Sequence, residues 1–313
     1  MKAIILKEPG TTDNLIYGDI AMPGISSEEV LIQVKFISIN PVDIQTRKGQ
    51  GAYIYANLEP GQELILGWDM SGIVVQSRSD LLQPGDEVFG MVNFPGVGAA
   101  YAAFVAAPAS HLTKKPENIS YAEAAGATLA ALTAWQNLVN RAKIKKGDRV
   151  LIHAAAGGVG HYAVQIAKHI GAYVIGTSSA ANKDFIMALG ADEHIDYHRQ
   201  NLADRITDVD FVLESTGKQN ILDSLDLIKP GGQLISILAQ ITEEAKEKAA
   251  KNSIAIDWTA VYSSGADMEQ LANLLRSGAI RSHISNEFAF GEMAAAHRAI
   301  ESGRTIGKIV VGL

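Results

Sequence analysis

The sequence of 313 residues contains no cysteine. A disulfide framework, an iron–sulfur cluster and a thiolate zinc site all need cysteine sulfur, so all three are excluded. Charged residues make up 19% of the chain, and the excess of acidic over basic residues gives a net charge of −7. This balance provides no basic surface that could hold a phosphate backbone, so we expect no nucleic acid partner.

Long apolar stretches are also missing. The least polar segment, residues 124–135, is interrupted by Gly126, Thr128 and Thr133 and is too short to cross a membrane. The apolar run within residues 1–8 is too short for the core of a signal peptide. We therefore expect a cytoplasmic protein with no membrane partner.

The length of the chain allows two domains of ordinary size. In residues 30–39 apolar side chains alternate with polar ones, which predicts a half-buried strand. Further short apolar runs, separated by turn signals, indicate a small β-rich domain. From about residue 121 strands and helices alternate, and residues 254–258 are predicted to complete six strands, which is typical of a parallel α/β sheet. Within this region a helix is predicted near residues 221–228, and the Lys229-Pro230-Gly231-Gly232 turn is predicted to end it before a strand that begins at Gln233. The tail after residue 280 is assigned to the first domain.

A glycine-rich turn follows the apolar strand of residues 149–153 and opens a helix. Glycines let a backbone approach a diphosphate, and a helix N-terminus offers unpaired N–H groups and a partial positive charge. No Gly-Lys-Ser/Thr follows, so a P-loop is excluded and a dinucleotide is predicted. An Ala/Gly-rich packing turn is the structural alternative. The predicted cofactor-binding residues here are Ala154, which stands at the usual first glycine position, Gly157, Gly158, Val159 and Gly160.

The second strand of this predicted unit ends in Thr177, Ser178 and Ser179, where an NAD enzyme normally carries Asp or Glu. Hydroxyl groups without a carboxylate favour a 2′-phosphate, so NADPH is the predicted cofactor. Lys183 could add a positive charge to this site or could lie on a solvated helix face.

Several segments carry a family resemblance. They are HAAAGGVGHYAVQIAK (153–168), INPVDIQTRKG (39–49), LGWDMSGIV (66–74), PGDEVFG (84–90), GATLAALTAWQNL (126–138) and GKIV (307–310). Together they resemble the zinc-free quinone oxidoreductase branch of the medium-chain dehydrogenase/reductase superfamily. The resemblance implies the α/β class, with a GroES-like β-rich catalytic domain (residues 1–118 and 281–313) and a Rossmann NADP-binding domain with a doubly wound, parallel six-stranded sheet (residues 119–280). It also implies a cofactor in the cleft between the domains and a homodimer.

Alcohol dehydrogenases of this superfamily bind a catalytic zinc through an early-loop Cys and the His of a Gly-His-Glu motif. This sequence has Asn40 at the first position and Trp68, in Gly67-Trp68-Asp69, at the second. Neither side chain replaces a zinc-binding thiolate or imidazole, so no metal is expected. His194 and His198 have the spacing of a metal-binding histidine pair on a helix, but they flank a predicted strand and lack a third ligand.

The resemblance therefore implies hydride transfer to acceptors that need no Lewis acid, such as a quinone or an α,β-unsaturated carbonyl. It points to Asn40, Asp43 and Tyr53 as catalytic residues, and further implied cofactor contacts are Thr133, Tyr197, Ser215, Thr216 and Lys308. Structural roles are the alternatives: a loop-shaping Asn-Pro turn for Asn40, a buried acceptor for Asp43 and a core aromatic for Tyr53.

Two other functions stay open at this point. An NADP-linked alcohol dehydrogenase would need zinc for alkoxide formation. A non-catalytic NADPH-binding sensor or structural protein would bind the cofactor without turnover.

Overall fold

The computed structural model describes residues 1–51 and 63–313, and the predicted site residue Tyr53 lies outside the described residues. The chain divides into two compact units, residues 1–132 with 261–313, and residues 133–260. These borders differ from the expected ones at residues 118 and 281. Residues beyond the expected borders bond within the first unit, as shown by the hydrogen bonds from Ser71 Oγ to Tyr121 O (2.6 Å) and from Asn118 Nδ2 to Leu275 O (3.2 Å).

The strands of the described residues are, in chain order, β1 (Lys2–Leu6), β2 (Leu15–Asp19), β3 (Glu29–Ile39), β4 (Leu64–Ile65), β5 (Asp69–Ser77), β6 (Glu87–Met91), β7 (Phe104–Pro108), β8 (Leu112–Lys114), β9 (Arg149–Ile152), β10 (Tyr173–Ser178), β11 (Glu193–Asp196), β12 (Val209–Glu214), β13 (Ile228–Ser236), β14 (Ala255–Trp258), β15 (Ile284–Ala289) and β16 (Lys308–Gly312).

The α-helices of the described residues are α1 (Pro41–Arg47), α2 (Tyr121–Gly126), α3 (Leu129–Trp135), α4 (Gly158–Ile170), α5 (Lys183–Ala188), α6 (Lys218–Leu225), α7 (Glu243–Lys251), α8 (Gly265–Ser277) and α9 (Met293–Glu301). Within the described part of the chain, no helix is long and apolar enough to cross a membrane.

The first unit is built around β3, the strand that the alternating pattern predicts, and this prediction is confirmed. Its described strands form one sheet in the order β15-β16-β3-β5-β6-β8, with β7 also paired to β3, and a smaller sheet in the order β2-β1-β4. Val30 and Ile32 of β3 are fully buried in an apolar core that also contains Met70 and Val88. The core therefore fixes β3, whose end leads directly into α1.

The second unit is a parallel sheet in the order β11-β10-β9-β12-β13-β14. This is the order of a doubly wound dinucleotide-binding sheet, so the predicted α/β class is confirmed. Leu151, Ile175, Val212 and Leu234 fill the core of this unit. All six strands present their carboxyl ends at the same edge, where such sheets bind ligands.

One local prediction is wrong. The sequence predicts a helix that reaches Ile228 and a Pro230-Gly231-Gly232 turn that ends it before a strand at Gln233. Instead α6 ends at Leu225 and Ile228 already pairs with Val209 in β13. Val209 of β12 pairs with Ile228 and Phe211 with Gln233, so the turn residues between Ile228 and Gln233 form an irregularity within β13. The turn therefore interrupts a strand rather than separating a helix from a strand.

Packing around β3 gives a stability test. A Cβ added to Gly72 of β5 would lie 2.2 Å from Gln33 O and 2.8 Å from Ile32 Cγ2. We expect Gly72→Ala to lower the free energy of unfolding by about 1–3 kcal/mol, because backbone atoms must move to accommodate the methyl group. Gly24→Ala is the control, since a Cβ there meets nothing within 4 Å. Urea unfolding would show the difference, and equal stability of the two variants would contradict this account of the packing.

Candidate functional site

The glycine-rich turn links β9 to α4 as predicted. Gly157 is the extended N-cap residue of α4. A Cβ on Gly160 would lie 2.2 Å from Ala154 O and 2.7 Å from Ala155 Cα, so only glycine lets the first turn of α4 pack against the end of β9. Ala154 has a φ of 47°, a left-handed conformation in which glycine is usual. The turn thus keeps the backbone path of a phosphate-binding loop although alanine replaces its first glycine.

A cavity of about 790 Å³ lies beside this turn in the second unit. Four predicted cofactor residues line it, namely Ala154, Thr177, Tyr197 and Thr216. They come from the carboxyl ends of β9, β10, β11 and β12, which is where a doubly wound sheet binds a dinucleotide. The fold therefore brings these residues together from distant parts of the sequence.

The hydroxyl groups at the end of β10 already have partners. Thr177 Oγ1 lies 3.1 Å from Nδ1 of the buried His153. Ser178 Oγ donates to Ser179 O at 2.9 Å and lies 2.9 Å from His194 Nε2. Both hydroxyl-bearing residues are buried, so their first role is to fix the end of the strand.

His153 joins three elements of the second unit. Its Nε2 lies 2.9 Å from Ser224 Oγ, and that hydroxyl donates to Asn220 O at 2.6 Å. Ser224 has only one proton, so His153 Nε2 donates to it, and Thr177 donates to Nδ1. Burial lowers the pKa of His153 to about 4, which keeps the ring neutral and suited to this arrangement.

Sequence reasoning missed Glu214, the last residue of β12. Its side chain is fully buried, and Oε1 accepts hydrogen bonds from Thr216 N (2.5 Å), Thr216 Oγ1 (2.6 Å) and Gly217 N (3.0 Å). These bonds shape the Ser215-Thr216-Gly217 turn, and Ser215 Oγ also donates to His153 O at 3.1 Å. The available signal was a glutamate at the end of the apolar run Phe211-Val212-Leu213, immediately before the predicted cofactor turn.

A buried polar network occupies the start of α1 in the first unit. Asn40 Nδ2 donates to Asp69 Oδ2 at 2.7 Å, and Lys308 Nζ donates to Asn40 Oδ1 at 2.5 Å. Lys308 Nζ also lies 3.8 Å from Asp69 Oδ2. Asp69 accepts a further bond from Leu129 N at 2.9 Å. Both ends of the Asn40 carboxamide are therefore engaged, and the network ties four separate segments together.

Asp43 caps α1 from inside the same region. Its Oδ2 accepts from Asn40 N at 2.6 Å, whereas its Oδ1 has no hydrogen-bond partner among the described residues. Burial, with Asp69 adding to it, raises the pKa of Asp43 to about 8. Burial also raises the pKa of Asp69 and lowers that of Lys308. Asp43 is thus a protonated carboxyl group at neutral pH, beside an ion pair.

The remaining predicted positions are placed as follows. Trp68 is buried, donates from Nε1 to Gly96 O at 2.7 Å and packs edge-on against Phe94, so it serves the core. Thr133 is a buried residue of α3. Lys308 is only 3% exposed, and its predicted contact with the cofactor stays a prediction. In residues 1–51 and 63–313, no three His, Asp or Glu side chains are grouped to hold a metal ion.

The comparisons with known proteins agree with this geometry. Residues 26–117 match the family model "Alcohol dehydrogenase GroES-like domain", and residues 189–311 match "Zinc-binding dehydrogenase". The chain is 30% identical to the NADPH-dependent alkenal/one oxidoreductase of Arabidopsis thaliana, an alignment that covers 99% of this chain and 79% of the relative.

The chain belongs to the medium-chain dehydrogenase/reductase superfamily. Within this superfamily it falls in the quinone oxidoreductase branch. The solved quinone oxidoreductase from Coxiella burnetii is 35% identical, with a TM-score of 0.92 over 100% of this chain and 99% of that one. A mycobacterial protein solved with NADPH is 27% identical, with a TM-score of 0.88 over all of both chains. The predicted family and its oxidoreductase class are thereby confirmed. Relatives of this chain use nicotinamide cofactors.

The protonated state of Asp43 gives a pH-dependent prediction. Unfolding lets this carboxyl group ionise above its ordinary pKa of 3.8, whereas the folded protein retains the proton up to about pH 8. Wild-type stability therefore falls as the pH rises through this window. Asp43→Asn keeps the acceptor for Asn40 N but cannot ionise. We expect the stability of this variant, relative to wild type, to increase between about pH 5 and pH 8. Urea unfolding across that range measures it, and a constant difference would contradict the assignment.

The Lys308–Asp69 pair gives a second prediction for this network. Lys308→Met leaves the Asp69 carboxylate buried without its counter-charge, so we expect a loss of about 3–5 kcal/mol in unfolding free energy. The double variant Asp69→Asn/Lys308→Met removes both charges and should recover most of that loss.

Exposed residues provide the control for this double variant. Lys2 and Asp19 form a solvent-exposed ion pair at 2.7 Å, and removing one or both of its charges should change stability little. Urea unfolding of all the variants makes the comparison. A double variant as unstable as Lys308→Met alone would show that the lost contacts are not electrostatic.

Proposed function

We propose that this protein is an NADPH-dependent reductase that transfers hydride, without zinc, to a quinone or to a C=C bond conjugated with a carbonyl group. The observation that carries the proposal is the network around Asn40. The residue at the position of a zinc-binding cysteine has its carboxamide held between Lys308 and Asp69. A neutral amide oxygen that already accepts a hydrogen bond from an ammonium group is a poor replacement for a zinc-binding thiolate.

Features of the second unit support the proposal that the cofactor is NADPH. The turn from Gly157 to Gly160 provides the close backbone approach and the helix N-terminus that a diphosphate needs. The adjoining cavity has room for the adenosine half. No carboxylate stands in the Thr177-Ser178-Ser179 segment, which supports NADPH over NADH. The first two hydroxyls have protein partners, so Ser179 and the exposed Lys183 are the groups of this segment best suited to a 2′-phosphate.

Hydride transfer then requires little from the protein beyond positioning the cofactor and the acceptor. When bound, NADPH supplies the hydride. A quinone or enone stabilises the developing negative charge through its own conjugation, whereas an alcohol substrate would need a Lewis acid to form its alkoxide. Buried, mutually bonded residues such as Asn40 and Asp43 keep the β3–α1 segment rigid, which favours precise positioning. The relative named an alkenal/one oxidoreductase and the structural neighbour named a quinone oxidoreductase support this acceptor class.

The location and assembly of the protein are part of the same proposal. We propose a cytoplasmic homodimer, for which the exposed edge strand β14 could supply a self-pairing surface.

A cofactor oxidation assay tests the proposal. Purified protein, analysed for metals and treated with a chelator, is mixed with NADPH or NADH and offered quinones, enones, aldehydes and alcohols with NADP⁺. We expect NADPH oxidation by quinones or enones that survives chelation, because no residue of the proposed mechanism requires a metal. Stoichiometric zinc with chelator-sensitive alcohol oxidation would replace the proposal with an alcohol dehydrogenase. Cofactor binding without turnover on the whole panel would replace it with a sensor or structural role.

A further inference from the structure

His194 lies beside the segment that we propose for the 2′-phosphate, whereas the sequence alone indicates it only as a possible metal ligand with His198. It belongs to β11, which pairs in parallel with β10 so that His194 stands opposite Gly176 and Asp196 opposite Ser178. The imidazole reaches forward along the sheet, and its Nε2 lies 2.9 Å from Ser178 Oγ. The ring is partly exposed.

The hydrogen bonds of Ser178 indicate which nitrogen of the His194 ring carries the proton. The single hydroxyl proton of Ser178 is donated to Ser179 O at 2.9 Å. Ser178 Oγ therefore acts as acceptor towards His194, and Nε2 carries a proton. In the neutral ring Nδ1 is the nitrogen that remains able to take up a second proton. Protonation can thus occur without breaking the contact with Ser178.

Burial and the neighbouring charges shift the pKa of the His194 ring, and not all in the same direction. Burial lowers the pKa of His194, Asp196 on the same strand raises it, and Lys183 of α5 lowers it. Asp196 is itself engaged, since its Oδ1 accepts from His198 N at 3.1 Å and its Oδ2 lies 3.8 Å from Arg199 Nε. Across the sheet, the hydroxyl of Ser178 and the backbone of Ser179 face the ring, and the backbone hydrogen bond with Ser179 raises the pKa of His194. Without a ligand, the ring is neutral at physiological pH.

We propose that His194 takes up a proton when the 2′-phosphate of NADPH binds at the end of β10, so that the preference for NADPH over NADH strengthens as the pH falls. This inference rests on the proposed function. A phosphate carries about 1.5–2 negative charges at pH 7, and a nearby anion favours the protonated imidazole. By linkage, binding that favours protonation is itself strengthened by protons. A shift of one pKa unit in His194 would change the ratio of the two affinities about tenfold.

Calorimetric titration with NADP⁺ and NAD⁺ tests the proposal on the wild-type protein. Titrations in two buffers of different ionisation enthalpy, at about pH 7.5, where the phosphate itself is almost fully ionised, give the number of protons taken up. We expect a net uptake with NADP⁺ that is larger than with NAD⁺. Equal uptake, or a release, would overturn the role of His194 without any need for a variant.

Variants assign the effect to one residue. His194→Gln keeps an N–H donor for Ser178 but cannot titrate, so the ratio of NADP⁺ to NAD⁺ affinity should become nearly independent of pH between about pH 7 and pH 8, where the phosphate stays ionised. His169→Gln, in the last turn of α4, is the matched control and should behave as wild type. A His194→Gln variant that keeps the wild-type pH dependence would refute the inference.

Failure of the proposed function would look different. If the wild-type protein binds NADP⁺ and NAD⁺ equally at every pH, the NADPH assignment itself is wrong and the inference falls with it. A clear preference for NADP⁺ that does not vary with pH would retain the assignment and overturn only the part played by His194.

Discussion

The structure of the first unit depends on offsetting the free-energy cost of removing two charged side chains from water. Lys308 and Asp69 are both buried, and neither would be stable there as an isolated ion. Asn40 makes the arrangement possible, since one amide accepts from the ammonium group and donates to the carboxylate. Because Lys308 lies on β16, Asp69 on β5 and Asn40 at the end of β3, this single interaction connects strands that are far apart in sequence. The start of α1 depends on it, as does the amide of Leu129, which also bonds to Asp69.

The second unit solves a similar problem with neutral partners. Glu214 is as deeply buried as Asp69, but it faces the backbone N–H groups of Thr216 and Gly217 rather than a cation. These bonds satisfy carboxylate lone pairs that burial would otherwise leave without a partner. The consequence is local, because these bonds bend the chain sharply after β12. The turn that we assign to the cofactor therefore owes its shape to a side chain that points away from solvent.

Local sequence patterns account for much of this fold. The alternation in β3 and the strand–glycine–helix pattern around Gly157 each depend on residues close together in the chain, and the structure has both. The tertiary partners could not be derived in this way. Nothing near Lys308 in the sequence indicates Asn40, 268 residues away. The helix predicted through Ile228 failed for a related reason, since pairing with Val209 overrode the local turn signal of Pro230-Gly231-Gly232.

The same distinction explains which parts of the function can be argued furthest. Cofactor binding depends on backbone geometry, because a diphosphate is recognised by N–H groups at the start of a helix, and Gly160 lets the start of α4 pack closely against the end of β9. Acceptor choice depends on side chains that contact the substrate. Asn40 and Asp43 are buried, and the Asn40 carboxamide is bonded to Asp69 and Lys308, so the observed contacts of these two residues are to the protein itself. Their contribution is to hold the β3–α1 segment in place. Side chains outside this network can change acceptor specificity without disturbing the ion pair that stabilises the unit.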